Sequence, residues 1–438
     1  MAQAGSGAAR PKVLGALSQI CRSFGHDPEL VLGAAGNASA KLGDLLWVSA
    51  SGIALRTIEE NDFVALDGMA LGPLLGAERP RRATEGEALE LELLAARVEP
   101  RKDQRPSFES LLHYLAPGTF AVHLHPTLVN EFACSEQGRP TLEAEVPGQL
   151  AWVEVAEPGL PLAQALQRSL EGYRRQHGQA RPRAVIMQNH GALLAGDVPG
   201  EVEADLAWLL GALGELKARL SGRSADEGTP ALAPEREAAL VNVLGPSLRG
   251  LLSEAGQPLP IVTFDGTAVA RAFGGRPDGR QLAMGGPLTS DHVAYCGSFP
   301  LWFDPEADEP PGAMVARLSA AVNEHRRRYS RAPAVVVVPG LGLFAAGGSW
   351  AEADLARDAY LEAIRIMVAA LPMGGPRRLP EDVRTSVERH QEARRAARGS
   401  SPAGRAAGKV VLVTGAAQGF GLEIAQDLAA QGGHVALA

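Results

Sequence analysis

Three histidines fall in two short contexts. His123-Leu124-His125-Pro126 follows the apolar run Phe120-Ala121-Val122, and Gln188-Asn189-His190-Gly191 follows Ala184-Val185-Ile186-Met187. Both runs read as buried strands, and alternation along a strand sends residues two apart to the same face, so His123 and His125 point together. His190 then stands at the end of a second strand. Three imidazole nitrogens with a fourth position left open describe a catalytic metal site rather than a closed structural one. Upstream, Pro106-Ser107-Phe108-Glu109 offers a carboxylate that can work beside a divalent metal as general acid or base. Each piece also has a plainer reading: the paired histidines as hydrogen-bonded structural groups, Asn-His-Gly as a turn, and Ser-x-Glu as a helix cap. Their order along one chain favours the metal reading.

The elements that must hold these residues are legible in the apolar spacing. Steps of three and four predict helices over Pro11–Phe24, Leu160–His177, Glu201–Leu220 and Ala351–Leu371. Strand-like runs alternate with them, which predicts layered α/β lobes. A chain of 438 residues with 46% hydrophobic content can bury two or three domain cores. The formal charge of −8 and a pI near 5.8 disfavour nucleic acid or an anionic membrane as partner. Cys21, Cys134 and Cys296 are scattered, which indicates neither a disulfide framework nor a cysteine zinc cluster. The first ten residues lack the apolar core of a signal peptide, and no run approaches the ~20 apolar residues of a membrane-crossing helix, so the expected compartment is the cytoplasm.

Further motifs carry a resemblance. Gly36-Asn37-Ala38-Ser39 and Ser51-Gly52 join Pro106–Glu109, the histidine pair and Asn189-His190-Gly191, and the set resembles the class II aldolase and adducin head family. The resemblance implies that His123, His125 and His190 hold Zn2+ or another divalent metal and that Glu109 transfers a proton. It assigns the substrate phosphate to Asn37, Ser51, Gly52 and Ser107. Glycine-containing turns suit that task, because backbone N–H groups and small hydroxyls meet an anion without obstruction. Segments within Ile20–Asp67 narrow the resemblance to proteins that fuse a rhamnulose-1-phosphate aldolase to a short-chain dehydrogenase. The implied reaction is zinc-dependent cleavage of a ketose 1-phosphate, L-rhamnulose 1-phosphate, to dihydroxyacetone phosphate and L-lactaldehyde. Two alternatives stay open: a metal-dependent sugar-phosphate epimerase on the same site, and a non-catalytic scaffold like the adducin heads. The implied partner is a small phosphorylated sugar, with homo-oligomerisation possible because relatives are tetramers.

The aldolase-then-dehydrogenase order is repeated here. Lys409-Val410-Val411-Leu412-Val413 leads into Thr414-Gly415-Ala416-Ala417-Gln418-Gly419-Phe420-Gly421, then an amphipathic stretch and the strand-like His434–Leu437. This reads as the opening βαβ of a Rossmann fold, with Gly415, Gly419 and Gly421 as a vestigial cofactor turn. Residues 409–438 are expected to be the start of a truncated short-chain dehydrogenase. The last tyrosine, Tyr360, precedes the glycine turn, so hydride transfer is not expected and NAD is assigned only to an intact relative.

Between these parts, Ala334–Gly347 echoes Ala184–Gly196, and Glu-Ala-Asp-Leu-Ala recurs at Glu203–Ala207 and Glu352–Ala356. This suggests an internal duplication. Aligning Gly191 with Gly342 puts Leu341 where the first copy has His190, so the second lobe is expected to be metal-free. Leu288–His292 has a distant likeness to the phosphate and acid segment, which makes Asp291 or His292 a candidate substrate contact, while the plainer and favoured reading of His292 is a hydrogen-bonded structural histidine. His26, His113, His177, His325, His390 and His434 have no metal-like spacing and read as structural or solvent-facing. The expected organisation is an α/β class II aldolase domain over residues 11–222, a degenerate aldolase-like lobe over 235–372, a linker over 373–408 with a solvated helix, and the Rossmann start at 409–438. Ser221–Pro234 reads as the break between lobes.

Overall fold

The computed structural model describes residues 6–76, 85–98, 104–178, 180–220, 232–254, 257–398 and 404–438. The first five residues and most of the Ser221–Pro234 break lie outside the described residues. The chain forms two compact units, the first made of Met1–Ser224 with Leu288–Ser290 and Ile366–Val387, the second of the remainder.

The first unit is built on strands β1 (Asn37–Leu42), β2 (Leu45–Ser49), β3 (Phe63–Asp67), β4 (Phe120–Leu124), β5 (Leu150–Val153), β6 (Ala184–Met187) and β7 (Gly191–Gly196). They form one seven-stranded sheet in the order β3-β2-β1-β4-β7-β6-β5. Every pairing is antiparallel except β5 with β6. A sheet buried on both faces needs apolar residues at odd and even positions alike. Val122, Leu124 and Leu194 pack on one face against Leu14, Leu17 and Leu209, from the helices Ser6–Gly25 and Pro199–Leu220. Ala121, Leu193 and Val185 pack on the other against Leu111, Leu112, Leu162 and Leu166, from the helices Ser110–Leu115 and Leu160–His177. Each fully buried leucine contributes about 1.5–3 kcal/mol relative to exposure.

This alternation decides where the chemistry faces. Ala121 belongs to the second face, so His123, two residues on, does too. Ala38 and Ala40 pack on the first face, which turns Asn37 and Ser39 to the second. The helix Ser110–Leu115, immediately after Glu109, covers that same face.

The second unit holds β8 (Ile261–Asp265), β9 (Leu301–Trp302), β10 (Val335–Val338) and β11 (Gly342–Gly347) in the order β8-β11-β10-β9. Only β9 and β10 are parallel. This repeats β4-β7-β6-β5 strand for strand. Phe120 pairs with Gly196 as Ile261 pairs with Gly347, and Leu124 pairs with Ala192 as Asp265 pairs with Leu343. Carried through the register, His123, His125 and His190 correspond to Phe264, Gly266 and Leu341. Leu341 is buried, and its N–H donates to Val338 O as that of His190 donates to Met187 O, both at 3.1 Å.

One part of the sequence-level repeat is out of step. Glu352 Oε2 accepts Gly348 N–H at 2.9 Å, and the matching acceptor in the first unit is Glu201, on Asp197 N–H at 2.8 Å. The shared Glu-Ala-Asp-Leu-Ala therefore sits two residues off the structural register, and the strands and caps carry the likeness instead.

The segment expected to link the lobes is partly core. Met373 joins the first unit's apolar cluster, and Leu379, Val383 and Val387 are buried, so the helix Glu381–Arg398 is not solvated all round. Its start is amphipathic, and charge density alone hid the apolar stripe. Residues 399–403 lie outside the described residues. Beyond them, β12 (Val410–Val413) and β13 (His434–Leu437) pair in parallel, joined by the helix Gly419–Ala430. Gly421 is required there because a Cβ would stand 2.3 Å from Gly415 O. Among the described residues, no helix is long and apolar enough to cross a membrane.

Candidate metal centre

His123 lies in the last turn of the pleat of β4, and the strand closes at Leu124. His125 follows the strand end, where Leu30 O accepts its backbone N–H at 3.1 Å. His190 ends the three-residue connection between β6 and β7, beside β4 in the sheet. One nitrogen from each of the three rings lies within 4.8 Å of the others. His123 Nε2 and His125 Nε2 are 3.2 Å apart. The ring centroids are separated by 4.7, 5.0 and 5.1 Å. Gly191 makes this approach possible, because a Cβ there would stand 2.3 Å from Leu124 O and 2.8 Å from the His125 ring.

Glu109 completes the cluster. It occupies the N-cap position of the helix Ser110–Leu115, yet its side chain makes no capping bond. The carboxylate turns instead to the histidines. Oε2 accepts from His123 Nδ1 at 2.9 Å and from Asn37 Nδ2 at 2.8 Å. Oε1 lies 3.0 Å from His190 Nε2, an atom that is buried and without a hydrogen-bond geometry of its own. Burial raises the Glu109 carboxyl, but its contacts with the His123 and His190 rings outweigh it and hold the group well below the usual carboxylate range. For His123 burial dominates and pushes the imidazole down to about 4 despite Glu109, so the ring is neutral near pH 7. A neutral imidazole is the form that ligates a metal.

The donor set fits a divalent ion. Three imidazoles suit zinc and its neighbours, and His123 presents Nε2 to the cluster while Nδ1 is held by a carboxylate, the arrangement that fixes a ligating ring.

Asn37 is the register partner of His123 across β1 and β4, and its amide contacts both Glu109 and His113. Ser107 is buried, and its Oγ accepts Glu109 N–H at 3.2 Å. Ser51 N–H donates to Arg105 O at 2.8 Å, and Ala50 pairs with Pro106, which sets the exposed Ser51-Gly52 turn beside the 105–107 segment. Gly52 has φ +86° with open space at its Cβ position. His292 is buried in the second unit, 3.8 Å from Glu362 Oε2, and does not share the histidine cluster.

His113 is the residue that spacing alone did not single out. It is buried, with Nδ1 2.8 Å from Ser39 Oγ and Nε2 on Asn37 Oδ1. Its position four residues after Glu109, one turn along a helix, was the available signal.

A model of the class II aldolase and adducin N-terminal domain matches residues 15–209, and one of the second domain of class II aldolase matches residues 239–388. The uncharacterized oxidoreductase YuxG of Bacillus subtilis (strain 168) is 24% identical over 415 residues, covering 90% of this chain. The chain spans 58% of the length of that relative. The N-terminal class II aldolase domain of a conserved protein from Thermoplasma acidophilum is similar at 21% identity and a TM-score of 0.40, covering 46% of this chain and 92% of that one. L-Fuculose-1-phosphate aldolase from Thermus thermophilus is similar at 14% identity and a TM-score of 0.31, covering 49% and 96%. On the two matched stretches, the chain is built from domains of the class II aldolase and adducin family.

Proposed function

We propose that this chain is a zinc-dependent aldolase that cleaves a ketose 1-phosphate, with L-rhamnulose 1-phosphate as substrate and dihydroxyacetone phosphate and L-lactaldehyde as products. The observation that carries this reading is the contact of Glu109 with both His123 and His190, inside a cluster of three converging imidazoles. The part-buried Glu109 makes no cap bond to its own helix and lies against two of the three rings, which supports a role beside a metal.

His123, His125 and His190 would hold the ion. When bound, it supplies Lewis acidity, taking up negative charge on the substrate's carbonyl oxygen and the neighbouring hydroxyl oxygen. Ser51, Gly52 and Ser107 are assigned to the phosphate together with Asn37, whose amide also steadies Glu109. As the C3–C4 bond breaks, its electron pair passes toward the carbonyl oxygen, and the C4 hydroxyl loses its proton as C4 becomes the aldehyde. Glu109, entering as a carboxylate, would carry the proton released from the C4 hydroxyl to C3, so that one proton leaves oxygen and one arrives at carbon. Its contacts with His123 and His190 support this role, since a substrate held at the three rings would lie beside the carboxylate.

Residues 235–372 enter this reading as a lobe without a metal, since Phe264, Gly266 and Leu341 offer no ligating atom in place of the three histidines. Residues 409–438 take no part in the proposed step.

The test is zinc content of the purified chain, together with lactaldehyde release from L-rhamnulose 1-phosphate. About one zinc per chain, lost in His123→Ala and accompanied by aldehyde release, is the expected result. Zinc without fragments but with an isomeric sugar phosphate would establish epimerase chemistry instead. A chain that takes up no divalent metal would overturn the enzyme reading in favour of a scaffold.

A further inference from the structure

Asn189, the residue before His190, is buried and adopts a left-handed backbone conformation with φ +56°. Asparagine tolerates that region better than other residues with a side chain. Its Nδ2 donates to two backbone carbonyls, Leu288 O and Arg377 O, each at 2.8 Å. An amide nitrogen carries two protons, so both are committed. This pair of acceptors also settles which end of the amide is nitrogen, since an oxygen there would face two carbonyl oxygens. The Asn189 backbone N–H donates to Ala133 O at 3.2 Å.

The Arg377 acceptor is itself anchored. Arg377 N–H donates to Cys134 O at 2.7 Å, Glu136 N–H to Gly375 O at 3.1 Å, and Gln137 N–H to Met373 O at 2.9 Å. Ser135 pairs with Pro376, and Met373 is buried in the first unit's core. Residues 373–377 thus run along 134–137, immediately after the carbonyl that holds the Asn189 backbone. Leu288 and Arg377 both fall in the stretch matched to the second class II aldolase domain, yet both belong to the first compact unit.

We infer that Asn189 is a positioning residue for His190, and that the chain around 288 and 373–377 completes the metal centre by holding Asn189's amide. The inference rests on the proposed metal site. It gives the second family domain a task in the first unit: two short segments from it fix the turn that aims a ligand. A metal ligand whose orientation depends on a neighbouring hydrogen-bonded group typically loses about 10–100-fold in metal affinity when that group is removed.

The test uses the full chain, Zn2+ alone, and three variants. Asn189→Gly keeps the left-handed conformation and removes only the amide, Asn189→Ser keeps one donor, and His190→Ala is the control. Zn2+ affinity is read by competition with a chromophoric chelator, and deuterium exchange of residues 186–191 and 373–378 is read on the metal-free proteins. The expected result is at least tenfold weaker zinc binding in Asn189→Gly, a smaller loss in Asn189→Ser, and faster exchange in both segments. Unchanged exchange, or faster exchange with zinc affinity within twofold of the parent, would overturn the inference while leaving the metal site standing. A parent chain that binds no Zn2+ would instead sink the metal reading and this inference with it. Should Asn189→Gly fail to fold, Asn189→Ser decides between the same outcomes.

Discussion

His113 fixes the direction in which the amide of Asn37 faces. Its Nε2 meets Asn37 Oδ1 while Ser39 Oγ lies 2.8 Å from Nδ1, so the hydroxyl donates to Nδ1 and the ring donates from Nε2. Asn37 Nδ2 is thereby left to donate to Glu109 at 2.8 Å. His113→Leu would take the partner from the buried Ser39 hydroxyl and from the part-buried Asn37 Oδ1. We expect a loss of about 1–3 kcal/mol for each buried group left without a partner, read as a lower urea midpoint. Under the proposed function, kcat should fall on the order of tenfold with KM little changed, and His113→Gln, which keeps a donor near Nε2, should recover part of it. A His113→Leu protein with unaltered kcat would remove His113 from the site.

Acid should weaken the metal-free fold over a definite window. Burial pushes His113 down to about 3 and His123 to about 4, from an ordinary value of 6.5. Between those limits the unfolded chain takes up protons that the folded chain refuses. Stability is therefore full above pH 6.5 and declines as pH falls toward 4, by about 1.4 kcal/mol per pH unit for each such histidine. Urea unfolding from pH 7 to 4 measures the slope. His113→Gln should make it shallower, and a flat profile would contradict the burial of these rings as neutral groups.

Gly191 is predicted to admit no side chain. The Cβ of alanine would enter within 2.3 Å of Leu124 O and 2.8 Å of the His125 ring, so either β7 or His125 must move. Gly191→Ala should cost about 1–3 kcal/mol and lower zinc affinity more than it lowers stability. Equal zinc affinity in the variant would show that the strand yields and the His125 ring keeps its place.

Metal stoichiometry should be one per chain despite two similar sheets. Phe264, Gly266 and Leu341 stand at the second unit's counterparts of the three histidines. Elemental analysis after dialysis against Zn2+ should give one ion, falling to none in His123→Ala. Added Zn2+ at one hundred times its Kd should stabilise the parent by about 2.7 kcal/mol and leave His123→Ala unmoved. Two ions per chain would mean that the second unit binds metal by other residues.

The sequence by itself determined the local elements and singled out a candidate set of side chains. Alternation placed His123 on a buried strand, helical spacing delimited Leu160–His177, and the order Glu109, His123, His125, His190 named a metal-and-carboxylate set, because each of these signals is periodic or short-range. It was less informative where distant segments meet. His113 looked like a structural histidine because its partners, Ser39 and Asn37, are more than seventy residues away and are brought to it by the pairing of β1 with β4. The repeat was legible in the hairpin strands, but the shared pentapeptide misled by two residues, since helix surface positions are free to drift while strand register is held by hydrogen bonds. Only the tertiary structure decided that residues 373–377 lie along 134–137 and that Asn189 reaches Leu288 and Arg377. Those bonds join backbone carbonyls, which carry no side-chain signature, and any residue type can supply them.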